Sequence, residues 1–147
     1  MRKSTRQFIV LVILMIITTT LGCGVVINSL KLYQLPKYIE GDKYTAHILN
    51  VETGPNDKYT LIVENWPTAI TINSNTELHA NDYAGFVFNK TYGVTFMCEY
   101  DYMSNKLKNV IIIFMASFVL MMAISISYFV YVRYKENIIK LDKSTDL

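Results

Sequence analysis

Histidine and cysteine supply most metal ligands and many catalytic groups, and the chain has only two of each among its 147 residues. His47 and His79 are far apart in the sequence, and neither stands at a metal-ligand spacing from another His or Cys. Glu77 and His79 would share one face of a strand, but two ligands do not make a metal site. We therefore expect both histidines to lie on the surface, and we expect no metal and no other cofactor.

Catalytic motifs are absent from the sequence. It contains no Gly-x-Ser-x-Gly, no Gly-rich phosphate loop and no Cys-x-x-Cys. Cys23 and Cys98 are too few for a disulfide framework, and we expect two free, mostly buried thiols. Asn89-Lys90-Thr91 matches the glycosylation acceptor pattern, which matters only in a eukaryotic secretory pathway. These observations predict that the protein is not an enzyme, and a membrane-bound enzyme stays a lesser alternative.

Two long apolar runs, residues 7–30 and residues 109–132, contain no Asp, Glu, Lys, Arg or His. At about 1.5 Å of rise per residue, a helix of either length crosses the roughly 30 Å hydrocarbon core of a bilayer. Tyr128, Tyr131 and Tyr134 cluster at one end of the second run, as aromatic side chains do at membrane interfaces. The pattern predicts two transmembrane helices, with the lipid bilayer as an obligatory partner.

The distribution of charge predicts the topology. Every arginine lies in a terminal tail, residues 1–6 or residues 133–147, whereas residues 31–108 carry seven lysines and nine acids, a net charge of −2. Because positive flanks stay cytoplasmic, we expect both termini inside a cytoplasmic (inner or plasma) membrane and residues 31–108 outside it. The overall charge of +2 gives no support for a nucleic-acid partner.

The first run has a rival interpretation. A basic start, an apolar centre and the small cluster Gly22-Cys23-Gly24 also resemble a secretory signal, or a lipoprotein signal with Cys23 as the acylated residue. Thr20, Leu21 and Gly22 fit a lipobox poorly, because its leading Leu is displaced by one position. No Ala-x-Ala site follows the run, which favours a retained helix over a cleaved signal.

The middle segment, residues 31–108, predicts a small all-β domain. Strand-like runs occupy residues 44–52, 58–64, 68–72, 84–88 and 94–100, and turn residues such as Gly54-Pro55-Asn56-Asp57 separate them. Val94, Phe96, Cys98 and Tyr100 would share the inward face of the fifth strand, with Thr95 facing outward. We expect a five-stranded antiparallel barrel or sandwich between the two membrane helices.

Two sets of residues are candidates for contacts. Small residues allow membrane helices to approach closely, and the predicted packing positions are Thr18, Gly22, Gly24, Ala123 and Ser127. Tyr and Trp are favoured at protein interfaces, and the predicted interaction surface consists of Trp66, Tyr59, Tyr83 and Tyr92. Core packing is the alternative for part of this aromatic set.

The leading functional hypothesis is a two-span membrane protein whose outside domain binds a membrane or periplasmic protein, with a homo-oligomer also possible. In its small size and its frequent Asn, Ile, Lys and Tyr, the chain resembles a bacterial or bacteriophage inner-membrane protein, and such a factor would exclude a second infection or regulate lysis. The alternative is a holin-like or oligomeric pore-forming protein. That alternative ranks lower because a holin consists mostly of helices and short loops, whereas residues 31–108, the segment expected outside the membrane, make up more than half of this chain.

Overall fold

The computed structural model describes the backbone of residues 3–145 and the side chains of residues 5–138. The chain forms two compact units, one made of Met1–Ile27 with Ile111–Leu147 and the other of Asn28–Val110. Helix α1 spans Lys3–Gln34 and helix α2 spans Met97–Thr145. Each helix is long and apolar enough to cross a membrane by length and composition.

The first unit is an antiparallel helix pair. Gly22 of α1 lies against Phe118 of α2, and Leu11 of α1 shares a groove with Phe129 of α2. The less exposed positions recur in alternating steps of three and four residues, which is the seven-residue repeat of left-handed helix packing. In α1 these positions are Gln7, Leu11, Leu14, Thr18, Leu21 and Val25, and in α2 they are Ile111, Phe114, Phe118, Met121, Ser125, Tyr128 and Val132.

The second unit is built on five antiparallel strands, which confirms the predicted five-stranded, barrel-like sheet. The strands are β1 (Asp42–Thr53), β2 (Lys58–Val63), β3 (Ile70–Asn73), β4 (Tyr83–Asn89) and β5 (Gly93–Phe96). Their order in the sheet is β3-β2-β1-β4-β5. A 3₁₀ helix, Leu35–Ile39, precedes β1.

Strand β1 bends the sheet because its two halves pair with different neighbours. Asp42 to His47 pair with β4, and Ile48 to Thr53 pair with β2, with a register shift between Ile48 and Asn50. A bulge of this kind increases the local twist of a strand. The sheet therefore curls into a nearly closed barrel.

The β1–β2 turn follows the local chemistry of its residues. Asn56 and Asp57 have φ angles of 59° and 57°, in the left-handed region that Asn and Asp tolerate better than most residues. The Gly54 N–H donates to the Lys58 carbonyl at 2.7 Å and closes the loop. The predicted hairpin between residues 44–52 and 58–64 is confirmed.

The barrel core consists of alternating positions from all five strands. Its buried members are Ala46, Ile48, Tyr59, Leu61, Val63, Ile72, Ala84 and Phe96. Leu61 and Val63 alternate with the exposed Ile62, so one face of β2 points inward. These side chains supply the apolar burial that stabilises so small a domain.

The fifth strand is shorter than predicted. It ends at Phe96, and Met97 begins α2, so Cys98 and Tyr100 are helical rather than part of a strand. Phe96 is buried as expected, and Thr95 lies on the opposite face as expected, but Thr95 is only 6% exposed, so the expectation that this outer face is open to solvent is wrong. Thr95 pairs with the fully buried Val87 of β4, and the Met97 side chain lies against Gly85 two residues away on the same face. Both faces of this part of the sheet are therefore covered.

Candidate interaction surface

An apolar surface remains exposed where the β1–β4 pairing ends. We call Tyr44, Phe86, Phe88 and Val94 the aromatic face. Tyr44 and Phe86 are cross-strand partners whose rings stack with centroids 5.5 Å apart. Phe88 follows Phe86 on the same side of β4 and pairs with Val94 of β5. Phe88 pairs with Asp42, the first residue of β1, so it lies at the end of the β1–β4 pairing, where it is 49% exposed.

The aromatic face continues into the barrel core. Trp66 meets the Phe86 ring edge-on at 5.4 Å, and Phe86 packs on Phe96 at 5.7 Å. Edge-to-face and tilted arrangements are favourable for aromatic pairs. Phe86 is therefore held against the core by Trp66 and Phe96, while Tyr44 and Phe88 stay exposed to solvent.

A groove of about 490 Å³ opens beside the aromatic face. Tyr44 and Phe88 form its apolar wall, and Asp42, Glu40 and Lys90 add charged groups of both signs around it. Its size and mixed lining are suited to an inserted side chain or a short peptide segment. The groove lining has no histidine, cysteine or serine.

The four predicted surface aromatics separate into two kinds. Tyr59 is 7% exposed and belongs to the core, which corrects its assignment to an interaction surface, because inward alternation on β2 carries it between Leu61 and Ile72. Trp66 is half-buried against the core. Tyr83 is exposed beside His47, with ring centroids 5.1 Å apart, and Tyr92 is exposed and packs on Tyr38 at 4.4 Å.

Both histidines lie beside carboxylates rather than in a metal centre. His47 Nδ1 is 3.4 Å from a Glu64 oxygen, and His79 Nδ1 is 3.6 Å from an Asp82 oxygen. Across the part of the chain that the structure describes, no three His, Cys, Asp or Glu side chains are grouped to hold a metal ion. These exposed pairs contribute little to stability.

The two cysteines have different surroundings. Cys98 packs against the barrel core ahead of the predicted span 109–132, and burial raises the pKa of its thiol. Burial also raises the pKa of the neighbouring Glu99 carboxyl. Cys23 is exposed on α1, and both thiols are free. A thiol that is harder to ionise is a poorer nucleophile at neutral pH, so Cys98 is suited to packing rather than to reaction.

The predicted helix-packing residues are also distributed over two settings. Thr18 is buried in the helix pair, and a Cβ added at Gly22 would lie 3.2 Å from the Phe118 ring. A Cβ added at Gly24 would overlap the Phe114 ring. Ala123 and Ser127, in contrast, are exposed on α2. The α2 residues that lie against Gly22 and Gly24 are Phe118 and Phe114.

Sequence reasoning missed Phe88 and Val94 on the aromatic face and Phe114 and Phe118 in the helix pair. The signal for Phe88 was its two-residue spacing from Phe86, and the signal for the helix pair was the seven-residue repeat of α2. Comparisons of the chain with protein-family models, with curated proteins and with solved structures found no match.

Proposed function

We propose that the protein is a two-span membrane protein that displays its β domain outside the cytoplasmic membrane and binds another protein through the aromatic face. In this proposal residues 7–30 and 109–132 span the bilayer, and the tails 1–6 and 133–147 are cytoplasmic. The partner is a membrane or periplasmic protein, and the setting is a bacterial or bacteriophage accessory function such as exclusion of a second infection or regulation of lysis.

The observation that carries the proposal is the contiguous exposure of Tyr44, Phe88 and Val94 on a domain whose core is otherwise closed. Contiguous apolar surface on a small domain marks a site of interaction. Aromatic anchors beside a groove with charged groups have the composition of a binding surface, in which a few large side chains supply most of the energy.

A site-specific photocrosslinker tests the aromatic face in cells. We expect a crosslinker at Phe88 to give an adduct of one defined mass, and a crosslinker at Ile62 to give none. Ile62 is the matched control because it is 46% exposed, against 49% for Phe88, yet it lies on the outer face of β2. Equal labelling at both positions would contradict the proposed surface.

Topology and retention of the first span are tested separately. Reporter fusions at Asp57 and after Leu147 should report opposite sides of the membrane, because the positive tails stay inside. Mass spectrometry of the purified protein should show an uncleaved α1 and no lipid on Cys23. A chain that begins at Cys23 or Val25 would establish the signal-peptide alternative instead.

The pore-forming alternative has less support. The hydroxyls of Thr18, Thr19, Thr20 and Ser125 each donate to the carbonyl four residues earlier in their own helix, at 2.8 or 2.9 Å. These hydroxyl protons are thus bonded within their own helices. The pore ranks lower because residues 31–108, more than half of the chain, lie outside the two apolar runs that would line it. Dye release from vesicles that contain the purified protein would reverse this ranking.

A further inference from the structure

A pocket of about 320 Å³ opens between α1 and α2, near the start of α1. This volume is in the range of small-molecule sites. Both helices contribute to its lining, which consists of Gln7, Phe8, Leu11, Phe129, Val132, Arg133 and Glu136. The pocket therefore combines apolar walls with one cationic and one anionic side chain.

Arg133 and Glu136 are one helical turn apart, a spacing at which Cβ atoms lie about 5–6 Å from each other. The Arg133 guanidinium lies over the Phe129 ring, 5.5 Å from its centroid. Within residues 5–138, whose side chains the structure describes, neither Arg133 nor Glu136 forms an ion pair. Both charged groups remain available to a ligand that carries the two opposite charges close together.

An apolar groove of about 210 Å³ continues from this pocket along the helix pair. Leu11 and Phe129 line both cavities, and Met15, Ser125 and Ile126 complete the groove. The Ser125 hydroxyl donates to the Met121 carbonyl, so its proton is not offered to a ligand. A charged mouth joined to an apolar groove matches a headgroup joined to a hydrocarbon chain.

We propose that this site binds a phospholipid with an ethanolamine headgroup. Arg133 donates hydrogen bonds to the phosphate, as guanidinium groups do with high geometric specificity, and the lipid ammonium donates to the Glu136 carboxylate. One acyl chain lies in the groove along Leu11 and Met15. This inference rests on the proposed membrane function.

Other headgroups fit the pair of charges less well. A glycerol headgroup has no cation to pair with Glu136 and leaves that carboxylate beside the phosphate. A choline headgroup has a cation but no N–H to donate. Free inorganic phosphate would contact Arg133 but not the apolar groove, whereas the lipid would contact both. Binding that depends on the groove therefore distinguishes the lipid from the free anion.

The test is native mass spectrometry of the full-length protein in detergent with equal amounts of ethanolamine, glycerol and choline phospholipids. We expect the ethanolamine lipid to be retained about tenfold more than either of the others, the ratio that one charge-assisted hydrogen bond supplies. Glu136→Gln should remove this preference, and Arg133→Gln should lower retention of all three lipids. Lys135→Gln is the matched control, since Lys135 packs on Tyr131 and does not line the pocket.

The outcomes separate the two proposals. Equal retention of the three lipids by a protein that inserts into vesicles overturns the lipid site and leaves the membrane function standing. Displacement of the bound lipid by millimolar inorganic phosphate alone overturns the lipid as the ligand. A protein that does not insert into vesicles overturns the membrane function, and the lipid site with it.

Discussion

The two units of the chain use the same apolar residues in opposite ways. In the β domain, Leu61 and Val87 are fully buried, and most charged residues lie outside. In the helix pair, Val119 is 63% exposed and Ile16 is 60% exposed, whereas Thr18 is buried and Gly22 lies against the Phe118 ring. A helix pair that exposes so many aliphatic side chains is suited to an apolar solvent.

This inversion, in which apolar residues are buried in the β domain and exposed on the helix pair, indicates how each unit is stabilised. The barrel gains free energy by removing apolar area from water, at roughly 25 cal/mol per Å². In the helix pair, Gly22 stands opposite the Phe118 ring and Gly24 opposite the Phe114 ring. Close packing of this kind is what stabilises helix pairs in the proposed bilayer setting, where burial of apolar area contributes little. The exposed apolar surface of the pair supports the proposed bilayer setting.

A charge in the barrel core should have the largest effect. Leu61→Asp places a carboxylate at a fully buried position without a partner, and we expect a loss of more than about 4 kcal/mol in the free energy of unfolding. Limited proteolysis and thermal unfolding of the full-length protein in micelles measure it. Ile62→Asp, one residue away on the exposed face, is the control, and equal losses at the two positions would mean that β2 is buried on both faces.

The same substitution on the helix pair tests the inversion directly. Val119→Asp should cost about 3 kcal/mol, the penalty of an acid near the middle of a membrane helix. Its measure is the fraction of protein that resists alkaline extraction from membranes. Ile62→Asp is again the comparison, because both positions are exposed yet only one would face lipid. If Val119→Asp is as harmless as Ile62→Asp, the exposed face of α2 is in contact with water.

Close packing of the helices is tested at Gly24. An added methyl group would overlap the Phe114 ring, so we expect Gly24→Ala to destabilise the pair by about 2 kcal/mol, as overpacking does. Thermal unfolding in micelles reports the change. Phe114→Leu should restore part of the loss in the double variant, and additive effects of the two substitutions would show that they do not act at one contact.

Some elements followed from local chemistry and were predictable. The hairpin at Asn56 and Asp57 depends on residues that tolerate left-handed backbone within the turn itself. The two apolar helices followed from runs without charge. The end of β5 did not follow, because Phe96 and Tyr100 stand four residues apart, a spacing that fits both a strand and a helix.

The candidate site was harder to predict, since it depends on where strands end rather than on residue type. Tyr59 and Phe88 are both aromatic residues on strands, but Tyr59 pairs with Ile72 inside the barrel, whereas Phe88 pairs with the first residue of β1. Their opposite exposure comes from strand pairing. A single sequence carries no direct record of that pairing.

The smallest effect is expected at Asn89, where a polar side chain ties two segments of the β domain together. Its Nδ2 donates to the carbonyls of Lys37, at 3.0 Å, and Glu40, at 2.6 Å, and so holds the 3₁₀ helix Leu35–Ile39 to the end of β4. Its Oδ1 accepts from the backbone N–H groups of Thr91 and Tyr92. The amide that the acceptor pattern Asn89-Lys90-Thr91 would glycosylate is therefore already used by the fold.

Asn89→Ala should cost about 1–2 kcal/mol, because water replaces part of these hydrogen bonds at a position that is not fully buried. Hydrogen exchange should show faster exchange in residues 35–40 while the β1–β2 hairpin stays protected. Thr91→Ala is the matched control, since it destroys the acceptor pattern but keeps the backbone N–H that Asn89 accepts. Equal loosening of residues 35–40 by Thr91→Ala and by Asn89→Ala would show that the connection depends on the Thr91 side chain as well as on the Asn89 amide.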